Sequence, residues 1–325
     1  MNTYGKLFRV HIFGESHGES VGVTIDGCPA GICIDKNDFL QDIQRRKPVK
    51  KGSTARKEED KPELLTGIYN GYTTGAPITL VSKNENIQSK DYKDFEQHPR
   101  PGHADFVSMK KYKGYADQRG SGHFSGRLTW GLVVAGVLAK KIISGMNVQV
   151  SLVSVNGSKD IDKQVETAMS KGDSVGGIVE CAISNVPIGL GEPFFASVES
   201  SVASIVFSIP AVKGLEFGSG FHSAQMMGSE HNDLIINDQG KTVTNHSGGI
   251  NGGISNGNDI VFRLAVKPPS SISKVQETYH FGKQKITGLE VKGRHDACIA
   301  LRMPVVVEAA AAIALADLYL QEKSR

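Results

Sequence analysis

Cysteine is scarce in this chain: Cys28, Cys33, Cys181 and Cys298 are the only four in 325 residues, with no C-x-x-C spacing among them. Neither a thiolate zinc site nor a redox pair is indicated, and reduced, buried thiols are the expectation. One-sided charge is also lacking. Lys and Arg total 37 against 34 Asp and Glu, and a net charge of +3 is too mild to imply nucleic acid. The most apolar run, PVVVEAAAAIALADLYL from Pro304, contains Glu308 and Asp317. It falls short of the roughly 20 apolar residues that a membrane span needs, so a core helix and no membrane partner are expected. The N-terminus, MNTYGKLFRV, shows neither the apolar stretch nor the cleavage site of a secretory leader. A cytoplasmic protein is expected.

Glycine, by contrast, is abundant, with 37 residues, where a share of roughly 7% is usual. Such density points to tight turns and close backbone approaches, which active sites use and long helical bundles do not. Residues 7–34 alternate as strands do, around a turn at DGCPAG, and 36–46 read as a helix capped by Asp35 or Asn37. LLTGIYNGYTTGAPITLVS reads as two short strands, and SGRLTWGLVVAGVLAKKIISG as a buried helix that Ser125 opens and Gly145 ends. Strands at 148–155 and 175–184 flank a polar helix from about Asp160 to Lys171. FFASVESSVASIVFSIPAVKGLEFG reads as helix, Pro210, strand; DIVFRLAVKPPSS as a strand with a Pro-stiffened end; and Pro304 opens the last helix. No linker interrupts the chain. One α+β domain over residues 1–325, or two halves fused without a linker, is the expectation.

The stretch FGESHGES at 13–20 contains G-x-S-x-G, the nucleophile elbow of α/β hydrolases. An elbow serine needs a helix directly after it, but the residues shortly after Ser16 are VGVTIDGCPAG, a β-branched strand ending in a turn. The elbow is therefore disfavoured, and attention moves to His17, at the junction of two strand-like segments.

Two further segments, RPGHADF with YADQRGSGHFSGRLT after it, and GRHDACIALRMPVVVEAA, join FGESHG in one order along the chain. With HSGGINGGISNG and KPPSS, these blocks resemble the signature regions of the chorismate synthase family over about residues 5–318. The resemblance implies a layered β-α-β sandwich assembled as a homotetramer. It also implies a lyase of the shikimate pathway and aromatic amino-acid biosynthesis. Its reaction is the anti-1,4-elimination of phosphate from 5-enolpyruvylshikimate 3-phosphate to chorismate. The family needs reduced FMN, with NAD(P)H or an external flavin reductase as the source of electrons, and the reaction has no net redox change.

A substrate with a phosphate and two carboxylates needs fixed cations. RRKPVKKGSTARK supplies seven basic residues from Arg45 to Lys57; by pattern alone it could equally be a solvated loop. Arginine forks bind planar oxyanions bidentately, which favours Arg45, Arg46 and Arg56 over the lysines. By resemblance, Arg45, Arg46, Lys47, Lys51, Arg56, Arg100, Arg127 and Arg294 are substrate contacts. Histidine titrates near neutrality, as a general acid must. The resemblance implies His17 as the acid facing the phosphate, His103 at the reduced flavin, and Asp296 poising the flavin region that takes the ring proton. It places cofactor contacts at His123, Phe124, Ser125, Asn245, Gly252, Lys267, Pro268, Pro269, Ser270, Ser271 and Arg294. The Gly-rich run at 248–253 is also compatible with a plain hairpin turn. No metal is implied.

The chain departs from the family at His123-Phe124-Ser125-Gly126-Arg127, where R-S-S-A-R is common. Replacing the first Arg by His123 removes a permanent charge, so weaker or more pH-sensitive FMN affinity is expected between about pH 6 and 8. Two other functions compete: a serine hydrolase built on Ser16, and a non-catalytic anion- or phosphosugar-binding protein.

Overall fold

Short apolar-alternating segments near the N-terminus pair into an antiparallel sheet in the computed structural model, which describes residues 2–48, 51–53, 58–86, 94–293 and 295–325. Its strands are β1 (Thr3–Tyr4), β2 (Arg9–Gly14) and β3 (Ser20–Asp26). After helix α1 (Lys36–Arg46) come β4 (Glu63–Thr66), the small hairpin β5 (Ile68–Tyr69) and β6 (Tyr72–Thr73), and β7 (Ile78–Lys83). The sheet order is β1-β2-β3-β7-β4. Val23 faces Leu80 and Ile25 faces Ile78, so the buried face is continuous across strands. The Asp35 cap forms as expected: its carboxylate accepts from Asn37 N at 2.8 Å, and Asp38 accepts from Asp35 N at 2.8 Å.

Next come α2 (Asp105–Lys111) and, after two 3₁₀ turns over 119–128, α3 (Thr129–Ile142). The second half contributes β8 (Asn147–Val155), α4 (Ile161–Ser170), β9 (Gly177–Ser184), α5 (Val198–Val206), β10 (Val212–Phe217) and α6 (Gly228–His231). A hairpin of β11 (Ile250–Asn251) and β12 (Ile254–Ser255) comes after these, then β13 (Ile260–Val266), the hairpin β14 (Gln276–His280) and β15 (Lys285–Leu289), and α7 (Met303–Lys323). The second sheet runs β10-β13-β9-β8.

Helices α3 and α7 are apolar on nearly every side, which only a doubly covered position tolerates. They pack on one another, α3 against β2 and β3, and α7 against β8 and β9. Sheet, helices and sheet thus form the expected β-α-β sandwich of an α+β fold. The helices approach closely at Gly136, where an added Cβ would lie 2.4 Å from the Ala309 Cβ. The expectation that the last apolar segment is too short for a membrane span does not hold: the helical stretch Ile299–Lys323 is long and apolar enough to cross one, yet 78% of its most apolar window is buried in the protein, as a core helix is.

Local departures have local causes. Residues 27–34 form no strand beyond a bridge from Cys33 to Tyr72. The two strands expected in 64–82 are four, because Gly67 and Gly71 adopt positive φ and break the pattern. Helix α3 stops at Ile142, and Gly145 lacks a left-handed φ, so it is no C-cap. Three of the cysteines are buried, while Cys33 is exposed.

Candidate active site

The segments that end or precede the central helices converge on one cleft of about 960 Å³. It is lined by the end of α1, residues 58–60, the turn before α2, the 3₁₀ turns before α3, the 207–213 link from α5 to β10, the loop after β13 and the approach to α7. Its floor is cationic. Arg46 and Arg127 are 7% and 6% exposed, and both donate to Asp60, Arg46 Nη2 at 2.7 Å and Arg127 through Nη1. Arg127 also donates from Nε to Asn84 Oδ1 at 3.0 Å. Beside them Arg302 Nη2 donates to Asp296 at 2.5 Å.

Burial pushes the Arg46 guanidinium below its ordinary value; Asp60 opposes this, and Arg127 and Arg302 add to it. Burial pushes the Asp60 carboxyl up, but Arg46 and Arg127 outweigh that and hold it below the usual carboxylate range. The Nε groups of Arg46 and Arg302 are buried and have no acceptor among the described residues. Both arginines border a small recess of about 30 Å³ beneath the cleft. Three guanidiniums thus face two carboxylates, with two N–H groups awaiting an oxygen. Unmet buried donors of this kind cost about 1–3 kcal/mol each, which an anionic ligand offsets.

The second wall is a network around Asp105. Arg100 donates to it from Nε at 2.8 Å and from Nη2 at 2.7 Å, and His103 Nδ1 lies 2.6 Å from Oδ1. Arg100 Nη2 is also 3.1 Å from His103 Nδ1. One ring nitrogen cannot both accept from Arg100 and donate to Asp105. The shorter, charge-assisted contact to the carboxylate decides the matter, so Nδ1 carries the hydrogen. Burial pushes the His103 imidazole below its ordinary value; the bond to Asp105 opposes this, and the charges of Arg100 and Lys267 add to it. Phe95 lies beneath the Arg100 guanidinium at 4.4 Å.

The loop after β13 closes the site. Lys267 Nζ and Ser270 Oγ donate to Gly102 O at 2.5 and 2.9 Å, and Ser271 Oγ accepts from Arg100 Nη1 at 2.8 Å. Burial and the neighbouring Lys213 charge lower the Lys267 ammonium from its ordinary value. Pro269 lines the cleft, whereas Pro268 packs towards Gly176. Phe124 and Ser125 also line it, Phe124 with 38% of its surface exposed. His123 lines it too, but Nδ1 donates to Gly14 O at 2.9 Å and Nε2 faces the Asn2 amide at 3.1 Å.

Of the sequence-predicted residues, Arg46, Lys47, Arg100, His103, Arg127 and Asp296 meet in the cleft with the flavin-loop and 267–271 groups. His17 lies just behind the wall: it is 5% exposed, and a Cβ on Gly120 would come within 2.4 Å of its ring. Arg45 points elsewhere, into Glu308 and Asp42. Lys51 pairs with Glu166. Asn245 braces its own loop by donating to Asp259 O and accepting from Gly249 N, and Gly252 turns the β11–β12 hairpin. Arg56 and Arg294 lie outside the described residues. Ser16 is fully buried, which leaves the hydrolase reading without an accessible nucleophile. Sequence reasoning missed Asp60, Asp105, Ser121, Arg302 and the 207–213 link. Asp105 had a visible signal, two residues after His103 in GHADF; the 207–213 link had none, because only tertiary packing brings it to the cleft.

Comparison with known proteins agrees with this geometry. The family model described as chorismate synthase matches residues 8–320. A chorismate synthase of Chitinophaga pinensis is 58% identical over 324 residues, covering 99% of this chain and 98% of that protein. One from Methanocaldococcus jannaschii is 42% identical over 366 residues, covering 99% and 97%. A crystal structure of chorismate synthase superposes with a TM-score of 0.76 at 25% identity, covering 98% of this chain and 93% of that one. With its full-length family match, its sandwich and its cationic cleft, the chain belongs to the chorismate synthase family, lyases of the shikimate pathway.

Proposed function

We propose that this cleft carries out the anti-1,4-elimination on 5-enolpyruvylshikimate 3-phosphate with reduced FMN bound beside the substrate, releasing chorismate and inorganic phosphate. The observation that supports it best is the floor: three guanidiniums against two carboxylates, with two buried N–H groups lacking acceptors among the described residues. A polyanionic substrate meets that demand. Arg46, Arg127 and Arg302 would hold its anionic groups, and the low-dielectric floor would strengthen each contact.

The residues present also fit FMN. Lys267, Ser270 and Ser271, with Lys213 beside them, form a donor set suited to a phosphate, and the half-exposed Phe124 ring offers an apolar face to a planar ring. A cleft of about 960 Å³ suits two small ligands together. When bound, the reduced cofactor would supply the electron-rich ring that lets phosphate leave without net redox change. His103 then holds a proton against the ligands, and Asp296, fixed by Arg302, stands beside the reacting region. His17 serves as the acid for the departing phosphate from behind Gly120, which has no side chain to displace its ring. NAD(P)H or an external flavin reductase supplies the electrons.

The same reading takes the whole chain as one catalytic unit, supported by the single large core cluster spanning both sheets. It also includes a homotetramer in the cytoplasm. Phe194 and Phe195, 86% and 97% exposed, and Leu234, Ile235 and Ile236, 60–66% exposed, are the kind of surface that a second copy covers. Asn245 and Gly252 do not line this chain's cleft, so they reach a cofactor only from such a copy.

The test is anaerobic incubation of the protein with dithionite-reduced FMN and 5-enolpyruvylshikimate 3-phosphate. Phosphate and chorismate should appear in equal amounts. Absence of both products, or phosphate without chorismate, contradicts the reading.

A further inference from the structure

Residues 15–19 join β2 to β3 and hold His17. A connection of this kind turns its backbone carbonyls toward whatever lies beside it, and each needs a donor. Strand β7 ends next to it: Ser20 pairs with Lys83, and one residue further on Asn84 N donates to Glu19 O at 3.0 Å. The Asn84 side chain then reaches across the connection. Its Nδ2 donates to Glu15 O and to Gly18 O, each at 2.9 Å, so one amide grips the carbonyls on both sides of Ser16 and His17. Its Oδ1 accepts from Arg127 Nε at 3.0 Å. The orientation of the amide follows from its partners, since backbone carbonyls only accept and a guanidinium only donates. The opposite side of the turn is held by the cleft wall, where Ser16 N donates to Gly122 O at 3.1 Å and His123 Nδ1 to Gly14 O at 2.9 Å.

We propose that Asn84 is a positioning residue for the elimination: it locks the His17 turn to Arg127, so that the acid and a guanidinium of the substrate floor keep one spacing. This rests on the acid role of His17 proposed above. Arg127 is itself fixed, with Nη1 on Asp60 and Nη2 3.3 Å from Ser82 Oγ. Its Nε is therefore a rigid reference, and Asn84 passes that reference to the backbone on either side of His17. The three partners call for two N–H bonds and one carbonyl oxygen on a single short planar group, which is what asparagine has. Aspartate has the same shape and still accepts from Arg127, but it turns an oxygen toward two carbonyl oxygens. The turn then moves away, and His17 with it. A displacement of about 1 Å at a reacting group can cost about 10²-fold in rate.

The test is a double-mutant cycle on the full-length enzyme with dithionite-reduced FMN and 5-enolpyruvylshikimate 3-phosphate, comparing Asn84→Asp, His17→Ala and the pair. Asn84→Asp should lower kcat about tenfold or more while KM changes less than about threefold, because the Arg127 contact survives. In the His17→Ala background the same substitution should change kcat by less than about twofold, since no imidazole is left to misplace. An asparagine that merely braces the strand end would lower kcat by the same factor in both backgrounds. That outcome overturns the proposal, as does an unchanged kcat in Asn84→Asp. Asn84→Ala, which introduces no charge, repeats the cycle if the aspartate destabilises the fold. It should show the same dependence on His17, with KM raised because Arg127 Nε loses its acceptor; equal losses in the two backgrounds overturn the proposal here too. If His17→Ala alone turns over normally, the acid role falls and the positioning falls with it; if His17→Ala is slow and Asn84→Asp is not, the positioning alone falls.

Discussion

At the residue scale, the chemistry depends on which groups hold protons. Because burial lowers the His103 value, its charged form is lost as pH rises through a point below the ordinary histidine range. Steps needing the imidazolium should therefore fade on the acid side of 6.5, and a pH–rate profile whose acid group titrates above the ordinary value would contradict this. His103→Ala and His17→Ala should each lower turnover by ~10²-fold. Gly120→Ala tests the route from His17: the new methyl would press on the ring, and φ +59° disfavours it further. Its kcat should fall about as far as that of His17→Ala, with far-UV circular dichroism unchanged; full activity would show that His17 does not act past Gly120. Stability has its own sign. Asp60 and Asp105 titrate below the usual carboxylate range when folded, so their contribution is complete above about pH 4 and fades as pH falls through their folded values. Between about pH 5 and about pH 2 the wild type should lose more stability, relative to its own neutral value, than Asp105→Asn, which lacks that titrating carboxylate; equal losses would contradict this.

Among the elements, the α3–α7 contact sets the geometry from which both cleft walls hang. A methyl at Gly136 would overlap the Ala309 Cβ, so Gly136→Ala should cost about 1–3 kcal/mol in denaturant unfolding with an unchanged m-value. An unaltered midpoint would mean that the helices separate more easily than their burial implies. Arg45 offers the contrasting case. It joins Lys140 around Asp42 and Glu308 on the helix layer, and its side chain is 43% exposed. Arg45→Ala should cost only ~1 kcal/mol, since solvent screens the pair and Lys140 remains. KM for the substrate should stay the same, whereas a large rise in KM would restore Arg45 to the substrate site.

These elements show what could be read in advance. Helices α1, α3, α4, α5 and α7 and strands β8, β9 and β13 were legible because caps such as Asp35 and Asp160 and clean apolar periods are local signals. The cleft residues were legible through resemblance, which picked out Arg46, Arg100, His103, Arg127 and Asp296 but not their partners. Asp60 and Arg302 look like ordinary charged residues until folding brings Arg46 between them. His17 and Arg45 were singled out by type and motif, and only packing shows that one lies behind Gly120 and the other against Glu308.

For the molecule as a whole, the exposed aromatic surface at Phe194 and Phe195 is what the proposed homotetramer would cover. Sedimentation should show a tetramer that Phe195→Asp weakens, with FMN affinity falling in parallel if Asn245 and Gly252 act from a neighbouring copy. A monomeric wild type with full FMN affinity would contradict that link. The central claim, that one cationic cleft holds both ligands, is tested most directly by a crystal structure with FMN and 5-enolpyruvylshikimate 3-phosphate bound. The account predicts both in the cleft, with a substrate oxygen about 3 Å from the Nε of Arg46 or Arg302; substrate lodged anywhere else, with those two groups still facing no anion, would contradict it.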